Sequence, residues 1–215
     1  MRYRNLLLAA TLLGVVTGTS VYAADLPTKA YTPVAAANWT GFYAGLNAGY
    51  GWATATTGGG SSTLNGFVGG GQVGFNWQGA SPLVLGVEAD FQGSSQRRSD
   101  VTLGVTIDQS LPWFGTARGR VGYAVNNWML YGTGGGAWVD YKVSGTALGV
   151  TVSSDATKFA WVAGGGVEWM FAPKWSAKFE YLYVDTGNTT VTLFGVPFNG
   201  RAKDNVIRVG GNYHF

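Results

Sequence analysis

The chain has 215 residues, with 14 Lys and Arg against 11 Asp and Glu, so its formal net charge is +3. This small basic excess, with Arg97-Arg98 as the one basic cluster, gives nucleic-acid binding little support. The absence of cysteine excludes disulfides and any Cys-based metal site, so the stability of the fold must come from another source.

The first 23 residues are typical of a cleaved export signal. Arg2 and Arg4 form a basic start, residues 6–16 are apolar, and Val21-Tyr22-Ala23 fits a small-x-small cleavage site. The apolar stretch is too short for a spanning helix, which needs about 20 residues. Cleavage after Ala23 removes two basic residues and no acid, which leaves a net charge of +1.

Residues 24–38 contain two prolines, many small residues and no hydrophobic period, so they are expected to be an extended tether. Beyond the tether, apolar and polar residues alternate in eight segments, as in half-exposed β-strands. The segments cover residues 41–52, 67–78, 83–92, 113–123, 129–142, 158–171, 175–183 and 206–215. The expected domain boundaries are therefore a signal over 1–23, a tether over 24–38 and a barrel over 39–215.

The connections between these segments also alternate in length. Short ones, at 79–82, 125–127 and 172–174, are interleaved with long ones at 53–64, 93–108, 143–156 and 187–203. Short turns on one side and long loops on the other are typical of a bacterial outer-membrane barrel, whose short turns face the periplasm. The sequence thus predicts an all-β fold, an eight-stranded antiparallel transmembrane β-barrel with long extracellular loops.

The charged residues decide which face of each strand points inward. A soluble barrel would place the apolar face inside, but a narrow interior cannot hold about eight tryptophans. The polar face carries five acids and five bases, which can pair with one another inside the barrel. This predicted interior set is Glu88, Asp90, Arg118, Arg120, Asp140, Lys158, Glu168, Lys178, Glu180 and Arg208.

Aromatic residues on the other face are expected to form two belts at the membrane interfaces. The belt at the short-turn ends is predicted to contain Trp77, Trp113, Tyr123, Trp169, Phe171, Trp175, Tyr213 and Phe215. The belt at the long-loop ends is predicted to contain Tyr50, Trp52, Phe67, Phe91, Phe159, Tyr181 and Tyr183. In this interpretation the fifth segment has Met129 and Tyr131 facing lipid and Trp138 facing inward.

Several motifs resemble those of a known family. They are Ala24-Asp25-Leu26-Pro27, the Trp39-Thr40-Gly41-Phe42-Tyr43 opening, the Arg118-Gly119-Arg120-Val121-Gly122-Tyr123 strand, Tyr131-Gly132-Thr133-Gly134-Gly135, and the ending Gly210-Gly211-Asn212-Tyr213-His214-Phe215. They are similar to small alphaproteobacterial outer-membrane proteins of the Omp25/Omp31 surface-antigen group, which are opacity-type barrels often placed among porin-family proteins. The resemblance implies an eight-stranded outer-membrane barrel without catalytic residues. It also implies that the barrel-assembly machinery reads the terminal Tyr213 and Phe215.

Enzymatic alternatives have little support in the residues. Gly69-x-Gly71-x-x-Gly74 matches a dinucleotide fingerprint but does not open a helix after a strand, so no cofactor is expected. His214 is the single histidine and falls at the periplasmic rim, which argues against a Ser/His triad or a His-based metal site at the loop face. We therefore expect no enzyme.

Two functions remain open from the sequence. The first is a structural, surface-displaying barrel whose lumen is filled, since eight strands leave about enough room for side chains alone. The second is a small porin, favoured by inward glycines such as Gly45, Gly49, Gly74 and Gly122, with Arg118 and Arg120 at its constriction. Expected partners are outer-membrane lipids, lipopolysaccharide and the barrel-assembly machinery. No nucleic acid is expected, and a monomer is favoured.

Overall fold

The computed structural model describes residues 37–57, 60–102, 105–147, 150–193 and 196–215. The predicted signal at 1–23 lies outside the described residues, as does the predicted tether up to residue 36. No helix formed by the described residues is long and apolar enough to cross a membrane.

Eight antiparallel strands form a closed barrel in chain order, with β8 pairing back onto β1. This confirms the predicted fold. The strands are β1 Gly41–Thr57, β2 Gly60–Gln78, β3 Leu83–Thr102, β4 Val105–Val125, β5 Trp128–Ala147, β6 Val150–Ala172, β7 Trp175–Leu193 and β8 Val196–His214. Between the short turns and the ends of the β2–β3 and β6–β7 pairing, at Asn65 and Trp161, closure gives each strand two neighbours, so the backbone hydrogen bonds there are satisfied without a helix.

Each strand is 17 to 23 residues long, whereas the alternating segments of the sequence cover only 9 to 14 residues. The predicted long loops are largely strand: Ala53 pairs with Leu64, and Val143 pairs with Ser154. These segments are rich in Ser, Thr and Val, and β-branched Thr and Val favour an extended, pleated backbone. The hairpins therefore continue as strands beyond the aromatic belt. The short turns lie where the sequence places them, and Asn126 takes a left-handed φ of 55° in the tightest one.

The outward face is apolar and the inward face is polar along most of the barrel. In β8, for example, Val209 is 59% exposed on the outer face, whereas Arg208 is 1% exposed inside. For β5 alone, the predicted phase of the alternation was wrong. Trp128, Leu130 and Trp138 point outward, and Met129 and Tyr131 are buried in the lumen. Glycines at 122 and 166 leave the room inside that these two large side chains occupy.

Two aromatic belts surround the barrel. Trp113 belongs to the belt at the hairpin end, where it stacks on Phe91 with 5.5 Å between ring centroids, so its predicted place at the short-turn end was wrong. β4 runs from the hairpins toward the short turns, and Trp113 comes early in its course. On the hairpin side, the membrane-spanning part of β8 ends at Asn205, because Asn205 is the Cα partner of the belt residues Trp52 and Tyr183.

Candidate functional site

The lumen between the belts contains a network of eight buried charged side chains, called the charge network below. Its four acids and four bases are Glu88, Asp90, Arg118, Arg120, Glu168, Lys178, Glu180 and Arg208. Each comes from an inward position of a strand, and none is more than 7% exposed. The formal charges cancel, so the network carries no net charge.

Arg118 of β4 joins β3 and β7 across the lumen. Its Nη2 atom lies 2.8 Å from Asp90 Oδ2 and also contacts Glu88. Its Nη1 atom lies 3.2 Å from Glu180 Oε1 on the opposite side. One guanidinium thus contacts three carboxylates, which is why it can be buried.

Arg208 and Lys178 complete the centre of the network. Arg208 donates from Nε to Glu180 Oε2 at 2.6 Å and from Nη2 to Asp90 Oδ2 at 3.0 Å. Lys178 donates from Nζ to both oxygens of Glu88, at 3.0 and 2.9 Å. The ion pairs therefore link side chains from β3, β4, β7 and β8 into one cross-braced layer.

Arg120 extends the network toward the short-turn end. Its Nη2 atom lies 2.7 Å from Glu168 Oε2, and its guanidinium lies 4.2 Å from the centre of the Tyr131 ring. It also donates to the hydroxyl of Tyr43 at 2.9 Å, which in turn donates to Glu88 Oε2 at 2.7 Å. These two tyrosines bring β1 and β5 into the same layer.

Amide side chains connect the remaining strand. Asn47 of β1 donates to Gln72 of β2 at 2.9 Å, and Gln72 donates to Asn212 of β8 at 2.5 Å. Asn212 then donates to Glu168 Oε1 at 2.7 Å. All eight strands therefore contribute a polar side chain to one connected layer across the lumen.

Apolar side chains close the lumen on both sides of this layer. Toward the hairpins, Phe114, Leu182, Val206 and neighbouring residues form one buried cluster. Toward the short turns, Trp39 is fully buried and packs with Val84, Met129 and others. Trp39 precedes β1, so the chain enters the barrel by inserting this indole into the mouth of the lumen.

The inward glycines do not widen the lumen. Large side chains of adjacent strands lie where a Cβ atom would point: the Tyr43 ring over Gly74, the Tyr131 hydroxyl over Gly166 and the Met129 sulfur over Gly122. Each glycine makes room for a bulky neighbour. At these positions the glycines therefore leave no open space in the lumen, and they do not support a porin.

Two of the ten predicted interior charges lie outside the charge network, and one of them, Asp140, is not on the inward face. Asp140 lies on the same face of β5 as Trp138, which is the outer face. Its Cα partners there are Trp113 and Thr157. The predicted interior position of Asp140 was therefore wrong, because the phase of β5 is opposite to the predicted one. Lys158 points inward but is only half-buried, nearer the hairpins, and its Cα partner is Val139.

Sequence reasoning missed several polar members of the site. Tyr43, Gln72 and Asn212 carry no charge and were not included in a set defined by charge, although their inward alternation was visible. Asp204, 7% exposed, accepts a hydrogen bond from Gln96 Nε2 at 3.0 Å. Asp204 lies one residue beyond the spanning segment of β8, and burial raises the pKa of its carboxyl to about 7.

Ser176, His214 and Glu168 meet at the short-turn end. The Ser176 hydroxyl donates to Glu168 Oε1 at 2.5 Å and lies 3.0 Å from His214 Nε2. A nucleophilic triad needs the acid to orient the histidine and the histidine to accept the serine proton, whereas here the serine bonds directly to the acid. In the described ranges, no group of three or more His, Cys, Asp or Glu is suited to hold a metal.

Comparisons with known proteins agree with this architecture. Residues 11–215 match the outer membrane protein beta-barrel domain. The chain is 38% identical to the 31 kDa outer-membrane immunogenic protein of Brucella melitensis, over 92% of this chain and 94% of the relative. It is 34% identical to the 22 kDa outer membrane protein of Rhizobium leguminosarum, over 81% and 77% of the two chains.

The fold also resembles the crystal structure of the outer membrane protease OmpT from Escherichia coli, with a TM-score of 0.53, 10% identity, and coverage of 81% of this chain and 97% of that one. At this identity the likeness concerns the fold alone. The chain belongs to the outer membrane protein beta-barrel family. It is an outer-membrane protein, and the predicted family and location are confirmed.

Proposed function

We propose that this protein is a closed structural barrel that displays four long hairpins at the cell surface and neither conducts solutes nor catalyses a reaction. The observation that carries the proposal is the charge network. Because every strand contributes to one polar layer and apolar clusters close both sides of it, the lumen is occupied by side chains rather than solvent.

The hairpins supply the display function. They continue the strands well past the aromatic belt, and their faces are rich in Ser and Thr. The Brucella relatives are named immunogenic proteins, which supports exposure of the corresponding surface here. A porin is not favoured, because the glycines that suggested one are covered.

The proposed partners follow from the outer surface. The two aromatic belts suit contact with outer-membrane lipids and lipopolysaccharide. The C-terminal Phe215 is 74% exposed, and its backbone N–H donates to Phe42 O at 3.0 Å, which leaves the ring accessible to the barrel-assembly machinery. We further propose that the barrel is a monomer, because closure leaves no strand edge between the belts.

Cysteine labelling in intact cells tests the display, because the chain has no cysteine of its own. Ser61→Cys lies in the β1–β2 hairpin and Ser81→Cys in a short turn, and both serines are exposed. A membrane-impermeant maleimide should label S61C in intact cells and S81C only after the outer membrane is permeabilised. Labelling of S81C alone in intact cells would reverse the orientation and overturn the proposal.

A further inference from the structure

Beyond the outer aromatic belt the barrel divides into two sheets, which we call the crown. One sheet consists of β7, β8, β1 and β2, and the other consists of β3, β4, β5 and β6. Two seams separate them: within the described residues, pairing between β6 and β7 ends at Trp161 and Asp185, and pairing between β2 and β3 ends at Asn65 and Arg97. The β6–β7 seam begins beside a β-bulge, where the register between β7 and β8 shifts between Asp185 and Asn188.

Outward-pointing charges just beyond the belt give the barrel a basic side and an acidic side. The basic side, over β7, β8, β1, β2 and β3, carries Arg97, Arg201, Lys203 and Asp185. The acidic side, over β4, β5 and β6, carries Asp108, Asp140, Asp155 and Lys142. Three bases and one acid give the first side a formal charge of +2, and three acids and one base give the second side −2.

Charges on both sides are free to meet a partner. Arg201 already binds Asp185, with Nη2 2.5 Å from Oδ2. Lys203 is the Cα partner of Asp185, yet neither Lys203 nor Arg97 forms an ion pair in the described part of the chain. On the acidic side Asp108 is exposed and likewise forms no ion pair with a described residue. The two sides are therefore complementary in charge.

Below the basic side, β1 and β2 present large side chains that stand out into the membrane. Leu46 and Phe67 are each 74% exposed, and Phe42 is 66% exposed. Small residues such as Ala48 and Gly71 lie between them on the same outer surface. These three large side chains are therefore separate projections, and we call this surface the knob face.

Below the acidic side, β4, β5 and β6 present small residues at adjoining positions. Gly119 is the Cα partner of Gly134, Gly134 is the partner of Ala163, and Gly132 is the partner of Gly165. All five residues lie on the outer surface between the two belts. We call this surface the smooth face.

The fold does not require glycine on the smooth face. A Cβ atom added at Gly119, Gly132 or Gly134 would have its nearest neighbour at 3.7 to 3.9 Å, which is an ordinary van der Waals contact. The inward glycines differ, because large side chains occupy the space beside them. Glycine weakens the interior of a strand and often marks a place where another molecule approaches the backbone closely.

A groove of about 520 Å³ continues the smooth face toward the short turns. Its lining includes Gly132 and Gly165 of the smooth face together with Leu83, Tyr123 and Leu130. The groove opens to the membrane, so it can receive an apolar side chain from a neighbouring molecule.

We propose that complete barrels of this protein associate side by side in the outer membrane, with the knob face of one copy against the smooth face of the next. The basic side of each copy then adjoins the acidic side of its neighbour, and this charge complementarity selects which faces meet. In lipid, close packing drives association, and small residues allow surfaces to approach. The contact joins finished monomers and shares no strand, so it goes beyond the proposed function.

The knob face and the smooth face match in depth. Leu46 is four residues from the belt residue Tyr50, and Gly134 is four residues from Trp138 of the same belt. Equal numbers of residues along strands of similar tilt give equal depths in the membrane. Leu46 of one copy therefore meets the glycines of the next copy.

Phe42 and the groove match in the same way. Phe42 is eight residues from Tyr50, and Leu130 is eight residues from Trp138. The Phe42 ring of one copy therefore reaches the depth of the groove of the next copy, beside Leu130. Two knobs at different depths thus find small residues and a groove at the corresponding depths.

A second copy of the chain is the occupant that supplies both the matching charge and the matching shape. The contact joins two different surfaces, so it is heterologous and leaves one face free at each end. The knob face on β1 and β2 and the smooth face around β5 lie on roughly opposite sides of the eight-stranded ring. Successive copies therefore extend as a row and do not close into a small ring.

Single cysteines test which faces meet, because the chain has no cysteine of its own. Ala48→Cys lies on the knob face, two residues from Tyr50, and Ala163→Cys lies on the smooth face, two residues from Trp161. The two mature variants are refolded, mixed in phosphatidylcholine vesicles without lipopolysaccharide, and oxidised. We expect much more covalent dimer in the mixture than in either variant alone.

Equal dimer yields from one variant alone and from the mixture would overturn the proposal, as would the absence of dimer in the mixture. A double variant with both A48C and A163C should give a ladder of higher oligomers. Products that stop at the dimer would contradict a heterologous row.

Two matched leucine substitutions test the packing. Ala163→Leu fills the smooth face, whereas Ala177→Leu places the same side chain on the outer surface of β7, outside both faces. Energy transfer between copies labelled at S81C, measured against the protein-to-lipid ratio, reports association. A163L should weaken association about tenfold or more because the approach is blocked, and A177L should not. Equal effects of the two variants, both shown to be folded by gel mobility, would overturn the proposal.

A neighbouring pair of arginines tests the charge complementarity. Arg97→Ala should weaken association, and the difference from the wild type should shrink as salt is added. Arg98→Ala is the matched control, because Arg98 points to the inner surface and is paired with Asp100. Equal effects of both variants would contradict the contact between the basic and acidic sides. The contact does not depend on which side of the membrane the hairpins face, so these results are independent of the display test.

Discussion

The lumen and the crown are built from the same eight strands but are stabilised differently. In the lumen every strand has two neighbours, and buried side chains such as Arg118 and Glu180 join strands that are not adjacent. In the crown the strands pair within two separate sheets, and ion pairs such as Arg98–Asp100 and Lys142–Asp155 are partly exposed. Exposed pairs of this kind are screened by solvent and contribute little to stability.

This difference indicates which region is rigid and which can change. Truncating one member of a buried ion pair leaves its partner charged and unpaired, at a cost of about 3–5 kcal/mol. Changes in the crown affect one hairpin or one sheet. The lumen therefore maintains the barrel, and the crown is free to vary and to bind.

Replacing both Arg118 and Arg120 with alanine should produce the largest effect. The double variant removes two of the four bases from the charge network, so that four carboxylates face only Lys178 and Arg208, and Glu168 loses its arginine partner. We therefore expect a loss of at least about 5 kcal/mol. The heat-dependent shift in gel mobility should occur at a much lower temperature than in the wild type. Lys158→Ala is the matched control, because this half-buried base lies outside the charge network, and it should behave like the wild type.

The same double variant tests the porin alternative. We expect destabilisation to exceed any change in permeability. A large gain in conductance with unchanged heat resistance would show that the arginines constrict a channel rather than brace a filled lumen.

Trp39→Ala should have an intermediate effect. The indole is fully buried at the short-turn mouth and contacts His214 edge-on at 5.9 Å between centroids. Its removal leaves a cavity and should cost about 3 kcal/mol, measured by urea unfolding in lipid vesicles. Trp39→Phe should recover most of this stability, and equal losses in both variants would contradict a packing role.

Asp204→Asn should have the most local effect, confined to the crown. A buried carboxyl with a raised pKa is neutral in the folded state up to about pH 7, whereas it ionises near pH 3.9 when unfolded. The folded state therefore holds the extra proton, so crown stability is greatest below about pH 4. It should decline by at most about 1.4 kcal/mol per pH unit as the pH rises toward 7.

Hydrogen exchange of the crown amides that pair between β1 and β8 measures this decline. D204N should make their protection independent of pH over this range while leaving the lumen amides unchanged. An equally strong pH dependence in D204N would mean that another group controls the crown.

Sequence reasoning succeeded where period-two alternation was accompanied by charge. In β4 and β8, Arg118, Arg120 and Arg208 mark the inward face without ambiguity, and strict alternation fixes the register. It failed in β5, where four glycines interrupt the pattern and both faces carry aromatics. Tyr131 was placed in lipid because its ring is apolar, but its hydroxyl donates to Glu180 at 2.9 Å inside the lumen.

The crown shows a second limit of the sequence. Segments rich in Ser, Thr and Gly were interpreted as loops, because their faces lack the apolar–polar contrast that reveals a strand. Their extension depends on pairing with a neighbouring strand, as between Lys142 and Asp155. The two seams arise from a bulge and from missing neighbours, and such features depend on the closed fold rather than on a local pattern.

Planar-bilayer conductance of the refolded chain 24–215 tests the central claim most directly, after a shift in gel mobility on boiling has shown that the barrel is folded. A lumen filled by the charge network and two apolar clusters predicts no discrete current steps. Reproducible single-channel steps from the folded wild-type barrel would contradict the account and identify the protein as a porin.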